Sequence, residues 1–323
     1  MRTTAAIICA IFLGVSALPS QLHAVTPIKT MSFNIRYDTS SDGVNAWNAG
    51  TIPRRSLAIQ AIDDFAPDIL GVQEALRNQV NNLQTGLPEY DFYGVGRDNG
   101  SLSGEHSAIC YRSDRFTRTN QGTFWLTPTP DRPSAYPGTC CNRIASWAVL
   151  QDKLDGNREY FVLNTHWDHQ VTAANNHSAT LIRERLGLLA GGRPMIVMGD
   201  LNSTESSTAY RRLVGLEDPA GLQLVDAYRE VTPTIGRDEA TYHGYSGGTR
   251  GSRIDFVLHD DSFETLDATI VRTNYSGRYP SDHFPVTATL LLRIPEPSAI
   301  SLALLAIACM ALWRSTRSCI SCR

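Results

Sequence analysis

Six places in this sequence set a polar, chemically capable side chain at the edge of an apolar run. The clearest is Met195-Ile196-Val197-Met198, which breaks off into Gly199-Asp200-Leu201-Asn202. Asn34 closes "MSFN", Glu74 closes "ILGVQE" and His166 follows "YFVLNT", while Asp255 sits in "RIDFVL" and Asp282-His283 in "SDHFPV". Any one of these could cap a strand or form a turn, a routine use of Asp and Asn. Their recurrence is more informative, because strand ends on one rim of a sheet converge on a shared surface. The set contains carboxylates, amides and two imidazoles, with no serine or cysteine nucleophile motif. Oxygen-rich sets of this kind hold hard divalent cations such as magnesium. A carboxylate beside a water can act as general base, and no covalent intermediate is needed.

Short strands and amphipathic helices must position these groups. "IKTMSFNIRY" alternates, with Met31, Phe33 and Ile35 on one side and Ser32, Asn34 and Arg36 on the other. "RRSLAIQAIDDF" places Leu57, Ala61, Ile62 and Phe65 on one helical face, and "SATLIRERLGLLAGG" does so with Leu181, Ile182, Leu186 and Leu189. "PDILGVQE", "SAICYR", "ASWAVLQD", "REYFVLNTHW", "RPMIVMGDLN", "SRIDFVL" and "SDHFPVTATLLL" read as further strands. No repeat or low-complexity linker interrupts residues 25–294, which read as one domain.

The ordered series "MSFNIR", "GVQE", "YR", "NTHWDH", "GDLN", "RIDFVL" and "SDHFPV" resembles the endonuclease/exonuclease/phosphatase superfamily, from about Met31 to Val286. The resemblance implies an α+β fold, a four-layer α/β/β/α sandwich of two mainly antiparallel sheets flanked by helices, with the active site at one rim. It implies that Glu74, helped by Asn34, is the principal ligand of magnesium or manganese, and that Asp282 coordinates the same ion or a second one. Asp200 would orient or deprotonate the attacking water, with Asn202 fixing Asp200 and a phosphate oxygen. His283, its ring held by Asp255, would donate to the phosphoryl oxygen. His166 would contact phosphate from the other side, Asn34 would lie against it, and Tyr111 would add a hydroxyl. Asp168 and His169 are extras in a segment that varies across the family, and a strand-edge salt bridge explains Arg36 equally well. The physics agrees with this assignment. Phosphate oxygens repel a nucleophile, a divalent ion draws off that charge, and imidazole donors meet the charge that grows in the transition state. A buried carboxylate keeps His283 cationic near neutral pH.

Both ends read as addresses. Residues 1–24 have an early Arg2 and an apolar core from Ala5 to Leu18, the pattern of a secretory signal peptide. Residues 295–323 carry Pro295-Glu296-Pro297, an apolar run from Ala299 to Trp313 and then Arg314, Arg317 and Arg323. That tail resembles the Pro-Glu-Pro sorting signals of Gram-negative bacteria, which an exosortase-type enzyme processes after transient membrane association. A permanent anchor is the alternative, and either places the body in the periplasm, on the outer surface or outside the cell. Four of the 29 basic side chains and one of the 32 acidic ones fall in these ends, leaving the body at a net charge of −6. Proteins that track duplex DNA usually neutralise several phosphates with a basic face, so no stable nucleic-acid partner is expected. Three cysteines remain in the body, Cys110, Cys140 and Cys141, enough for at most one disulfide, and their spacing suggests no zinc site.

The resulting expectation is an exported, metal-dependent hydrolase of a phosphomonoester or phosphodiester. An extracellular nuclease and a non-catalytic surface binding module are the alternatives. The loops at 38–53, 98–105 and 127–141 carry no readable substrate code. Trp47, Trp125, Tyr136 and Trp167 could stack on a substrate or serve as core, with core favoured for Trp125.

Overall fold

The computed structural model describes residues 26–293. The leader and the sorting tail expected from the sequence lie outside these residues. The strands are, in chain order, β1 (Ile28–Asn34), β2 (Ile69–Ala75), β3 (Tyr90–Tyr93), β4 (His106–Arg112), β5 (Phe116–Trp125), β6 (Ile144–Asp152), β7 (Arg158–His166), β8 (Met195–Asp200), β9 (Val225–Asp226), β10 (Asp255–His259), β11 (Phe263–Ile270) and β12 (Val286–Leu292). They form two six-stranded sheets, ordered β11-β12-β1-β2-β4-β3 and β5-β6-β7-β8-β10-β9. Only the β1–β2 and β7–β8 pairs are parallel. The helices are α1 (Arg54–Phe65), α2 (Arg77–Gly86), α3 (Thr172–Leu189), α4 (Thr208–Val214) and α5 (Ala227–Val231). This is the expected α+β sandwich.

Strand alternation builds the layers. On β1, Met31 and Phe33 face outward and pack with Leu70, Val72 and Cys110 against Ala58, Ile62 and Leu83 of α1 and α2. Ile28, Ile69 and Ile109 face inward and meet Leu150, Val162, Ile196, Met198 and Val257 of the second sheet. The outer side of that sheet packs Phe161, Leu163, Val197 and Phe256 against Ile182, Leu186 and Leu213 of α3 and α4. Three apolar seams therefore separate four layers. The α1 stripe is buried at Leu57, Ala61 and Ile62, and the α3 stripe at Leu181, Ile182 and Leu186. Phe65 and Leu189 pack at the margins.

The inter-sheet seam turns polar toward one end, which positions the site. Gln73 Nε2 donates to Asn164 Oδ1 (2.7 Å) and to Ser32 Oγ (3.2 Å), and Asn164 Nδ2 donates to the carbonyls of Val72 and Ala108. Gly199 permits β8 to approach β7 closely, since a Cβ there would lie 2.3 Å from the Thr165 carbonyl oxygen. Asp200 thereby pairs level with His166 on one side and Asp255 on the other.

Candidate active site

The rim is assembled from strand ends of both senses. Asn34, Glu74, His166 and Asp200 lie at the C-terminal ends of β1, β2, β7 and β8. Asp255 opens β10, and Asp282-His283 precede β12; both strands run antiparallel to their neighbours and so begin at the same rim. Glu74 reaches the rim through a distortion. Strict alternation would send it to the helix-covered side with Leu70 and Val72, but the pairing of β2 with β4 shifts register between Val72 and Ala75, and Glu74 adopts φ 62°. Arg36 (φ 56°) and Asn202 (φ 43°) share this left-handed conformation. Such backbone costs about 1–3 kcal/mol per residue and concentrates at functional sites.

Glu74, Asp200, Asn202, Asp282, His166 and His283 line one cavity of about 490 Å³, together with Arg36, Arg97, Glu105, Arg143 and Tyr242. Asn34 is the hinge between the two sheets: its Nδ2 donates to Glu74 Oε1 (3.0 Å) and to Asp200 Oδ2 (2.9 Å). The Asn202 backbone N–H donates to Asp200 Oδ1 (2.9 Å). His283 Nδ1 lies 2.9 Å from Asp255 Oδ2, and its Nε2 is 3.9 Å from Asp200 Oδ2. Thr241 Oγ1 accepts from the Ile254 and Asp255 N–H groups and anchors that carboxylate.

Charge in the site is divided. Burial disfavours ionised Asp200, and neighbouring Asp255 adds to this against the pull of His283, so its pKa is pushed up to about 7. Burial also opposes a charged His283, but Asp255, and then Asp200 and Asp282, overcome it and raise its pKa to about 10. His166 is the opposite case. Burial and the Arg143 guanidinium hold its pKa well below the usual imidazole range. Arg143 Nη1 sits 2.9 and 3.0 Å from its ring nitrogens, and Asn202 Nδ2 is 3.1 Å from His166 Nε2. Of the two imidazoles, His283 is thus favoured as the cationic ring and His166 as the neutral one.

Among the described residues, two groupings at the strand-end rim could attract a cation. Asp200, Asp255 and His283 bring ligand atoms within 4.8 Å of one another, but His283 Nδ1 is already engaged by Asp255 at 2.9 Å. Glu74 and Asp282 instead converge on the Arg36 guanidinium, each at 3.8 Å, too long for a hydrogen bond. Two carboxylates opening into the cavity around a stand-in cation, with the Asn34 amide adjacent, suit a hard divalent ion.

Tyr111 does not join them. It pairs with Ile69, five residues before Glu74 along β2, roughly 16 Å from the rim at the usual rise per residue. Its ring is buried in the inter-sheet core. The error is one of direction, because β4 runs antiparallel to β2 and its first residue, His106, is the one near the site. Trp47 and Trp167 are fully buried and unavailable for stacking; Trp125 is core, as favoured. Tyr136 packs on His177. Sequence reasoning missed Arg143, Arg97, Glu105 and Tyr242. Of these, only Arg143, immediately before the strand run "IASW", carried a signal that could have been noticed.

The three cysteines form no disulfide among the described residues, and no described helix is long and apolar enough to cross a membrane.

Solved structures share this fold. An endonuclease/exonuclease/phosphatase family protein from Bacteroides thetaiotaomicron is 31% identical, with a TM-score of 0.75 over 84% of this chain and 100% of that one. A mannosyl-6-phosphatase from Bacteroides thetaiotaomicron VPI-5482 is also 31% identical, with a TM-score of 0.72 over 81% of this chain and 99% of that one. An uncharacterized protein of Acanthamoeba polyphaga mimivirus is 23% identical over 229 residues, and the match spans only 32% of that relative's length. Residues 31–283 match the model of the endonuclease/exonuclease/phosphatase family. By this match the chain belongs to the endonuclease/exonuclease/phosphatase family, whose members are phosphoesterase and nuclease hydrolases.

Proposed function

We propose that this chain is a divalent-cation-dependent phosphomonoesterase that hydrolyses its substrate by direct attack of water. The observation that carries the reading is the division of labour in one cavity: Asp200 is poised to lose its proton near neutrality, and His283 is fixed as a cation 3.9 Å away. Asp200 orients a water and accepts its proton as the oxygen attacks phosphorus, and the ester bond to the leaving oxygen breaks on the opposite side. General-base help of this kind is worth about 10²–10⁴-fold. The His283 Nε2–H donates to a phosphoryl oxygen as its negative charge grows, and Asp255, accepting from Nδ1, keeps the ring doubly protonated so that this donation is available. Asn202 fixes Asp200 from its backbone, while His166 and Asn202 Nδ2 present the neutral wall. Glu74, Asp282 and Asn34 would hold the cation, which when bound withdraws charge from the phosphoryl oxygens.

Several observations favour a monoester of a small polar alcohol such as a sugar. Arg36, Arg97 and Arg143 wall the cavity, and the similar Bacteroides protein is a mannosyl-6-phosphatase. The body carries a net charge of −6, which disfavours a long polyanion. We propose as well that residues 1–24 direct export and that the Pro295-Glu296-Pro297 tail is the substrate of an exosortase-type enzyme. The activity test is a panel of sugar phosphates, phosphodiesters and nucleic acids, with magnesium or with chelator. Chelator-sensitive phosphate release from the sugar phosphates supports the reading. Inactivity on every monoester, or plasmid nicking that falls steeply with salt, would replace it.

A further inference from the structure

Beside the cavity, the loop that leads into β6 and the loop that leaves β7 bring three unlike groups together. One ligand atom each from Cys140, Asp168 and His169 lies within 4.8 Å of the others. Asp168 is 1% exposed and is held rigidly: Oδ1 accepts from the Gln170 (2.9 Å) and Val171 (2.7 Å) backbone N–H groups. Its other oxygen, Oδ2, is buried and has no hydrogen-bond partner, and Arg143 Nε, likewise without one, forms only a long ion pair with it at 3.9 Å. A buried carboxylate oxygen without a partner is costly, and the cost calls for a ligand. Cys140 and His169 are exposed, so an ion can reach them from solvent.

We propose that Cys140, Asp168 and His169 form a second metal site, selective for a thiophilic divalent ion of the zinc class and distinct from the hard-cation site at Glu74 and Asp282. One thiolate, one imidazole and one carboxylate, with a fourth position open to water, is a donor set for zinc and a poor one for magnesium. Binding releases the Cys140 thiol proton to solvent, and no redox step is involved.

The site is wired to the cavity through Arg143. Arg143 Nη2 donates to His169 Nδ1 at 3.0 Å while Nη1 contacts His166. A neutral imidazole that binds metal through one nitrogen carries its proton on the other. If the metal takes Nδ1, its lone pair is spent; if it takes Nε2, Nδ1 bears hydrogen. Either way the bond from Arg143 is lost and its hold on His166 loosens. Zinc therefore lowers the phosphoesterase rate, a consequence that rests on the function proposed above, whereas the binding itself does not.

The test is titration of the full, reduced, magnesium-loaded protein with cobalt(II), followed in the near ultraviolet, where a thiolate-to-cobalt charge-transfer band reports a Cys ligand. The band should appear at one equivalent and vanish in C140S, with at least about a 10–100-fold loss of affinity. Zinc should inhibit wild type at concentrations at least about tenfold lower than it inhibits C140S, whose magnesium-supported activity is unchanged. Absence of the band, or its persistence in C140S, overturns the site. Equal zinc inhibition of both proteins overturns the coupling through Arg143. A band in a protein inactive on every ester leaves the metal site standing and removes the proposed function instead.

Discussion

Replacing Asp255 with Asn isolates the electrostatic device at the centre of the site. The amide is nearly isosteric, and its oxygen can still accept from His283 Nδ1 across the 2.9 Å contact, so ring position and tautomer survive while the charge is lost. Raising His283 from 6.5 to about 10 corresponds to roughly 5 kcal/mol of preference for the charged ring. A unit charge at about 4 Å contributes roughly 4 kcal/mol at an effective dielectric of about 20, so Asp255 alone can account for most of it. Asp200 and Asp282 remain in D255N. The expected fall in pKa is therefore about 1–3 pH units, or about 1.4–4 kcal/mol. Histidine-ring NMR titration of the metal-free protein measures it directly. In wild type the ring stays protonated through neutral pH and titrates near 10, and the alkaline limb of kcat/KM should move down with it in the variant. The sign for stability follows. A raised folded-state pKa gives stabilisation that is complete below 6.5 and lost as pH climbs through about 10, so the melting-temperature gap between wild type and D255N should narrow over that range. A His283 that still titrates near 10 in D255N would refute the reasoning.

D200N should lower kcat by about 10²–10⁴-fold with little change in KM, and should abolish the acid limb expected near pH 7 in the kcat/KM profile. Y111F should leave kcat and KM as in wild type, because the hydroxyl lies at the far end of β4; a kinetic loss without a loss of stability would contradict that placement. R54A should lower the melting temperature by roughly 5 °C or more in a thermal melt. The buried Arg54 guanidinium donates to the carbonyls of Ile35, Arg36 and Asn45, which would be stranded without it.

What the sequence disclosed and what it hid divide along physical lines. Asp200, Asn202 and Glu74 were legible because an apolar run that stops at a carboxylate marks a buried strand reaching a rim, and Asp282-His283 because they open the apolar run of β12. The two-sheet architecture was legible from the ordered motifs. Directionality was not: nothing local reveals that β4 runs against β2, and the hydroxyl that the family resemblance implied at Tyr111 belongs to the core. Nor was the bulge visible, although without the φ of 62° at Glu74 the carboxylate would face α1 and α2. The position of Arg143 before a strand run was noticeable, but its role was hidden because it depends on which side chains cross from neighbouring strands. Its contacts with His166 and His169 span 23 and 26 residues of chain. Trp47 and Trp167 looked like candidate stacking platforms because they sit in polar segments, yet both rings are fully buried.

The location of the cation decides most. Crystals grown with manganese and inorganic phosphate would show it by anomalous scattering. The expected result is an ion bound between Glu74 and Asp282, Arg36 turned away from both, and phosphate in the cavity accepting from His283 Nε2, with Asp200 on the side of the attacking water. Manganese seated on Asp200, Asp255 and His283, with Arg36 still bridging Glu74 and Asp282, would contradict it.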